Sequence, residues 1–183
     1  MNVIRLALLA AVLLAPGVGA AQALEHQVKA AFLFRFLSFV EWPAPIGAAA
    51  SAPAAARPLV IAVVGADDVH AELAQIVPGR TVLERPVVVE RLKEGERADH
   101  VHMVFVGRGA GAAQLRRWAT QPAVLVVSEW EGALEQGAII NFLVRDGRVR
   151  FEVALDEADR RGLRVGARLL SVAMHVKRGP ARP

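Results

Sequence analysis

The chain has 183 residues, no cysteine and a formal net charge of +4. Without cysteine it can form no disulfide and offers no thiolate, so its fold must depend on core packing. A net charge this small does not suggest nucleic-acid binding. The hydrophobic fraction of 54% is raised by alanine and by the N-terminal segment, and it does not indicate a membrane protein.

Residues 1–23 have the features of a Sec-type signal peptide. Asn2 and Arg5 begin a short basic start, Leu6–Leu14 is apolar, and Ala21-Gln22-Ala23 follows the A-x-A cleavage pattern. The apolar run is too short for a comfortable transmembrane helix, although an uncleaved N-terminal anchor is the alternative. We therefore expect export, with cleavage after Ala23. The remaining ~160 residues are enough for one domain with a full core, and none of their apolar runs could span a bilayer.

A largely buried helix is predicted over Glu25–Val40, because apolar residues recur there at helical spacing. Pro43 is expected to end it, since proline disfavours the helical conformation of the residue before it. Residues 44–58 are rich in alanine and proline and predict a surface loop without chemistry. The folded domain is expected to span residues 24–178, and residues 179–183 are expected to be disordered.

The middle of the chain alternates apolar strands with helices. The first helix of this part, Asp67–Val77, is expected to be capped by Asp67 or Asp68, and a second helix follows Gly107–Gly111. Strands that are continuously apolar and are separated by helices indicate a parallel sheet covered on both faces. The predicted strands are Leu59–Val64, Val87–Glu90, Val101–Val106 and Ala123–Val127.

Gly137–Leu155 predicts a β-hairpin. Its centre, Asp146-Gly147, favours a type I′ turn, in which both central residues have positive φ. This turn sets the register and gives the hairpin an apolar face and a more polar one. The apolar pairs are Val144 with Val149, Phe142 with Phe151 and Ile140 with Val153; the pairs on the other face are Asn141 with Glu152, Leu143 with Arg150 and Arg145 with Arg148.

A closing helix is predicted over Val165–Val176, with Val165, Leu169, Val172, Ala173 and Val176 facing inward. The predicted fold class is therefore α/β. It is a single domain with a mixed, largely parallel β-sheet flanked by helices on both faces, followed by a C-terminal antiparallel hairpin and the closing helix.

Two groups of residues could bind a ligand, and each has a plainer explanation. Gly107–Gly111 lies between a strand and a helix, where a phosphate-binding loop would lie, but it has neither the full G-x-G-x-x-G order nor a following Walker lysine. His100 and His102 could begin a metal site, yet no third ligand follows at a metal-like spacing. We interpret the first group as an ordinary glycine-rich loop and the second as the solvated entrance to a strand.

Glu129 and Glu131 could form an acid/base pair, but the intervening Trp130 favours an exposed turn. Ser128 ends a predicted strand, although it is not part of a G-x-S-x-G elbow. An enzyme that uses Ser128, Glu129 or His102 is therefore the weakest functional hypothesis. We predict no catalytic residues, no cofactor site and no metal site.

Three segments give the whole mature chain a resemblance to the YfiR family (the DUF4154 domain), whose members are small exported α/β proteins of Gram-negative bacteria. The first is similar to the family's opening helix and Trp-Pro pair, the second to its hairpin and the third to its closing helix. In chain order they are Val28-Lys29-Ala30-Ala31-Phe32-Leu33 running to Phe39-Val40-Glu41-Trp42-Pro43, then Ile140-Asn141-Phe142 with Val149-Arg150-Phe151-Glu152, and Gly162-Leu163-Arg164-Val165 leading to Leu169-Leu170.

The resemblance implies a periplasmic repressor. YfiR-type proteins bind the periplasmic domain of a membrane-anchored diguanylate cyclase and hold it inactive, which lowers cyclic di-GMP and biofilm formation. Such a role needs tighter binding to the inactive cyclase and no chemistry. A second hypothesis is a periplasmic small-ligand-binding module that serves a sensor kinase or a transporter, because crevices at the carboxyl ends of parallel strands commonly hold ligands. The sequence does not decide whether the protein forms a homodimer.

The resemblance also directs attention to two sets of residues. Aromatic anchors dominate protein interfaces, so aromatic residues are candidates for the partner interface, with packing in the core as the alternative. A hydrogen bond between Asn141 and Glu152 is expected if the amide donates. The interface candidates are Phe39, Trp42, Pro43 and Trp130. The scaffold residues of the family signature are Asn141, Phe142, Phe151 and Glu152.

The chain departs from the family at two points. Ala154 stands where the family's return strand usually continues with asparagine. Many members carry a cysteine near the third strand, where this chain has Asp99-His100-Val101-His102. A redox response that depends on such cysteines cannot operate in this protein.

Overall fold

The computed structural model describes residues 18–43, 57–96, 98 and 100–179. Residues 1–17 of the predicted signal peptide, most of the predicted loop at 44–58 and residues 180–183 of the predicted tail lie outside this part, so the domain boundaries stay predictions. No helix within the described part is long and apolar enough to cross a membrane.

Helices and strands alternate through most of the described chain. The four strands predicted between Leu59 and Val127 are all present. The helices are α1 (Val18–Phe36), α2 (Asp67–Ile76), α3 (Ala112–Ala119), α4 (Leu155–Arg160) and α5 (Ala167–Leu170), with a 3₁₀ turn at Leu134–Gln136. The strands are β1 (Val40–Glu41), β2 (Leu59–Val64), β3 (Thr81–Val82), β4 (Arg85–Leu92), β5 (Met103–Val106), β6 (Leu125–Ser128), β7 (Ile140–Arg145), β8 (Arg148–Ala154), β9 (Arg164–Val165) and β10 (His175–Lys177).

Among the described residues, eight strands form one sheet in the order β10-β8-β7-β6-β5-β2-β4-β3. The five strands from β7 to β4 are mutually parallel, whereas β8 runs antiparallel to β7 and β3 antiparallel to β4. The chain passes from β2 outward to β4 and then crosses to β5 on the other side of β2. The strand order therefore reverses between β2 and β5, and such a switch point is where open α/β sheets usually bind ligands.

Helices cover both faces of the sheet, because every residue of β2 is buried and successive side chains point to opposite faces. On one face Ile61 shares a core with Phe36 of α1 and Leu73 of α2. On the other face Ala62 shares a core with Leu115 of α3. The predicted fold class, a mixed and largely parallel sheet between helices with a C-terminal antiparallel hairpin, is confirmed.

The hairpin has the predicted register in all six pairs from Ile140–Val153 to Arg145–Arg148. Its turn is also as predicted, with φ of 52° at Asp146 and 67° at Gly147. Phe142 and Phe151 are buried, but Val144 is 39% exposed. The apolar face of the hairpin therefore extends beyond the part of the sheet that the core covers.

The prediction that the first helix spans Glu25–Val40 and ends at Pro43 is wrong, because α1 ends at Phe36. The chain then tightens into a turn in which the Phe39 N–H donates to the Phe36 carbonyl at 3.0 Å. Val40 and the residue after it pair antiparallel with β9. This long-range pairing competes with the helix and ends it, and no local signal in the sequence reports it.

The predicted closing helix over Val165–Val176 is also wrong. Only Ala167–Leu170 is helical, and His175–Lys177 joins the sheet as β10, parallel to β8. The Gly166 N–H donates to the Phe39 carbonyl at 2.7 Å, which ties this segment to the turn after α1. Val172, predicted to face inward, is 64% exposed.

The prediction that Asp67 or Asp68 caps helix α2 is wrong as well. Ala66 occupies the N-cap position of α2, and no side chain there caps the helix by a hydrogen bond. Asp67 instead accepts a hydrogen bond from Arg91 at 2.6 Å, and Asp68 lies 3.8 Å from His26. Both carboxylates still lie in the first helical turn, where negative charge interacts favourably with the helix dipole.

Candidate functional site

The loops that follow β2, β5 and β6 meet at the carboxyl edge of the parallel strands, beside the first half of α1. A polar cleft of about 270 Å³ lies between them. Its lining comes from elements far apart in the chain and includes Glu25, Lys29, Asp68, Arg108 and Glu129.

Lys29 is the centre of this edge and is only 1% exposed. Its ammonium group donates to Glu25, one helical turn earlier, and to Oε2 of Glu129 at 2.5 Å. The other oxygen of Glu129 accepts the Arg108 main-chain N–H at 3.1 Å. An unpaired buried ammonium would cost several kcal/mol, so the two carboxylates are what allow α1 to carry Lys29 into the interior.

The sequence patterns do not predict this ion cluster. Lys29 stands in them only within a family segment, and Glu129 only in a candidate acid/base pair. A signal was available, because a lysine with a glutamate four residues earlier stands among the apolar residues of a largely buried helix, and such a charge needs a partner. The identity of the distant partner, 100 residues further along the chain, had no local signal.

The neighbouring polar residues do not form a catalytic arrangement. Ser128 is fully buried, and its hydroxyl donates to the Val106 carbonyl at 2.9 Å. Glu131 is exposed, whereas Glu129 is turned inward to Lys29. The acid/base pair considered from the sequence is therefore not formed in this structure.

The glycine-rich loop Gly107–Gly111 directs its amides to the protein itself. All five N–H groups have partners, which in chain order are the carbonyl of Val64, the side chain of Glu129, the carbonyls of Gly65 and Gly107, and the side chain of Glu94. A Cβ at Gly109 would lie 2.8 Å from the Gly65 oxygen. The glycines thus allow two loops to pack closely. Because all five amides already have partners, none is left to bind an anion.

His102 lies at the opposite end of the parallel strands, the amino end, and directly precedes β5. Its Nε2 lies 2.9 Å from a guanidinium nitrogen of Arg85, and its Nδ1 lies 3.3 Å from the Val60 main-chain nitrogen. Both neighbours can only donate, so a neutral imidazole accepts from one of them. Burial and, secondly, the charge of Arg85 lower the pKa of His102 to about 4. His100 instead faces Glu90 at 3.0 Å. The two histidines do not converge, and no group of three metal-binding side chains occurs in the described ranges.

The structure places two of the candidate interface residues, Trp42 and Trp130, at opposite ends of the same strand. Trp42 lies at His102, whose carbonyl accepts the Trp42 indole N–H at 3.2 Å. Phe39 and Pro43 stand near Trp42 in the chain. Trp130 lies at the carboxyl edge, where its indole N–H donates to the Gly107 carbonyl at 2.9 Å. The two acceptors stand at opposite ends of β5, roughly 16 Å apart at about 3.3 Å per residue. Both tryptophans are partly buried, and their role in an interface stays a prediction.

The family-signature residues of the hairpin lie inside the scaffold. The Asn141 amide donates to Glu152 Oε1 at 3.0 Å, which is the hydrogen bond expected from their register. The ring of Phe36 lies 5.7 Å from that of Phe142 and 5.2 Å from that of Phe151. Such aromatic pairs contribute about 0.5–1.5 kcal/mol each beyond the burial of their area, so they help to hold α1 on the hairpin.

We expect Lys29→Met to lower the free energy of unfolding by about 3 kcal/mol. The substitution leaves the largely buried carboxylate of Glu129 without its cation. Urea unfolding at pH 7 measures this. The matched control is Lys177→Met, which removes the lysine of the exposed pair with Glu135 and should cost less than about 1 kcal/mol. Equal losses in the two variants would contradict a special role for the buried cluster.

We expect the free energy of unfolding to fall as the pH is lowered from 6.5 to about 4. In this range the unfolded chain binds a proton at His102 that the folded protein excludes, because its pKa is lowered to about 4. His102→Gln should flatten this part of the curve in urea titrations at several pH values, whereas His100→Gln should keep it. An unchanged slope in His102→Gln would refute the assignment.

Comparison with known families gives one match. A family model described as YfiR/HmsC-like (DUF4154) matches residues 26–174, which is most of the chain. A search of curated proteins found no match. The matched range includes Lys29, Glu129 and the hairpin pair Asn141 and Glu152. The protein therefore belongs to the YfiR/HmsC-like family, as its three sequence segments predicted.

Proposed function

We propose that the protein is a periplasmic regulatory binding protein that represses a membrane-anchored diguanylate cyclase. It binds the periplasmic domain of the cyclase and so lowers cyclic di-GMP and biofilm formation. The observation that carries this proposal is the YfiR/HmsC-like family match over residues 26–174.

Repression by binding requires a difference in affinity between two states of the cyclase. A ligand shifts such an equilibrium only as far as it binds one state more tightly. If the two states were equally populated, holding about 99% of the cyclase inactive would need about a 100-fold preference for the inactive state. That preference corresponds to about 2.7 kcal/mol, which a few well-packed side chains can supply.

The polar side chains form hydrogen bonds within the protein, which supports a role in binding and not in catalysis. In the described part of the chain, Ser128, Glu129 and His102 each have their side-chain groups committed to internal partners. A nucleophile must be able to reach its substrate, whereas Ser128 is fully buried with its hydroxyl bonded to the Val106 carbonyl.

The structure is also compatible with export. Residues 19–24 of α1 are exposed, and the buried part of the helix begins at Lys29. Cleavage after Ala23 would therefore remove no core residue, and it would keep Glu25, which pairs with Lys29. The exported protein would meet the cyclase on the periplasmic side of the membrane.

Deletion of the gene is expected to raise cyclic di-GMP and biofilm formation in the source bacterium. Restoring the full chain should return both to their original levels. The matched control is the chain without residues 1–23, which should accumulate in the cytoplasm and fail to complement. Unchanged cyclic di-GMP after deletion would reject the repressor function.

A second candidate function is the binding of a small periplasmic ligand for a sensor kinase or a transporter. It is favoured by two clefts beside the strand-order reversal, one of about 270 Å³ and a larger one of about 540 Å³ between Arg91, Glu94 and Gly109. If this function holds, at least one compound of a periplasmic metabolite panel should raise the melting temperature of the mature protein by several degrees. Lys93→Ala, at the larger cleft, should reduce that shift, and no shift with any compound would speak against this candidate.

A further inference from the structure

The β10 strand forms an open edge of the sheet. It pairs with β8, and no other strand of the described residues pairs with it. The Met174 N–H donates to the Phe151 carbonyl at 2.8 Å, so this amide faces β8. Because successive amides of an extended chain point to opposite sides, those of His175 and Lys177 face away from the sheet. Such an edge is a template for a further strand.

Apolar side chains stand at the beginning of this edge. Val172 is 64% exposed and Met174 is 56% exposed. The described residues contain five exposed large hydrophobic side chains, and two of them lie within the three residues before β10. A small exposed apolar patch beside unpaired main-chain groups is what strand-adding interfaces use for side-chain selectivity.

The same end of the edge is positively charged. Arg148 and Arg150 of β8 precede the residues that pair with β10, and since the two strands are parallel they lie beside the start of β10. Arg168 of α5 precedes this segment in the chain, Arg178 follows β10 at its other end, and all four side chains are exposed. None of the four forms an ion pair with a described carboxylate.

We propose that the β10 edge binds an extended segment of a partner protein that carries alternating acidic and apolar side chains. The segment adds to the sheet beside β10 and bonds to the outward amides of His175 and Lys177. Its apolar side chains contact Val172 and Met174, and its carboxylates face the arginines. This inference rests on the proposed function, in which the partner is the periplasmic domain of the cyclase.

The charge of the edge decides between the candidate occupants. A second copy of β10 (His175–Lys177) would bring no carboxylate to the arginines. An anionic membrane would satisfy the arginines but not the outward amides, which need acceptors in the plane of the sheet. An acidic extended segment satisfies both groups.

A peptide pair tests the chemistry of the edge without any cyclase. An eight-residue peptide of alternating valine and glutamate is expected to bind the mature protein at least tenfold more tightly than its valine–lysine counterpart. Amide resonances of His175 and Lys177 should shift on binding. Equal affinity for the two peptides, or shifts confined to other residues, would overturn the proposal.

The second arm uses the purified periplasmic domains of the membrane-anchored diguanylate cyclases of the source bacterium. Calorimetry should show at least a tenfold loss of affinity for the double variant Val172→Asp/Met174→Asp. The matched control is Leu83→Asp, which changes a side chain that is 63% exposed in the β3–β4 connection at the far end of the sheet. It should stay within twofold of the unmodified protein. Arg148→Glu/Arg150→Glu should weaken binding and reduce its dependence on salt.

The outcomes separate the two proposals. If the unmodified protein binds no cyclase domain, the repressor function fails, and the peptide arm still decides whether the edge has the stated preference. If a cyclase domain binds and the double variant binds as well as Leu83→Asp, the repressor function stands and the edge proposal is overturned. Loss of phosphatidylglycerol-vesicle binding, or of a dimer in sedimentation, as the sole effect of the double variant would also overturn it.

Discussion

The buried ammonium group of Lys29 constrains how the first helix can lie on the sheet. Its partner Glu25 lies on the same helix, α1, whereas its partner Glu129 directly follows β6. A helix that shifted or rotated would leave charges unpaired away from water, which is among the costliest changes that a protein interior can undergo. Further along α1, Phe36 packs against Phe142 and Phe151 of the hairpin. One polar and one aromatic contact therefore define the position and the tilt of α1.

The same ion cluster changes the character of the carboxyl edge. In many α/β proteins this edge presents loop amides and helix termini to a ligand. Here the amides of Gly107–Gly111 bond to neighbouring loops and to two glutamate side chains, while Ser128 bonds to a carbonyl inside the sheet. These groups therefore connect neighbouring structural elements through hydrogen bonds inside the protein.

The surface itself is divided between distant regions. Trp42 and Trp130 bond to main-chain carbonyls at opposite ends of β5. The open strand β10 lies at a third place, beside the hairpin that carries the family signature. Asn141 and Glu152 bond to each other within that hairpin. This signature pair lies within the hairpin, and β10, the edge strand next to it, lies beside Arg148 and Arg150 of β8.

Local physics explains what the sequence alone determined. The alternation of side chains and the Asp146-Gly147 turn are short-range features, so the hairpin register, the central strands and the α/β class followed from the residues themselves. The end of α1 at Phe36, the conversion of the expected closing helix into α5 and β10, and the meeting of Lys29 with Glu129 did not follow. Each depends on partners far away in the chain, such as β9 for β1 and β8 for β10. Only the tertiary structure decided them, because hydrogen bonds and charges in an interior are satisfied by neighbours in space and not by neighbours in sequence.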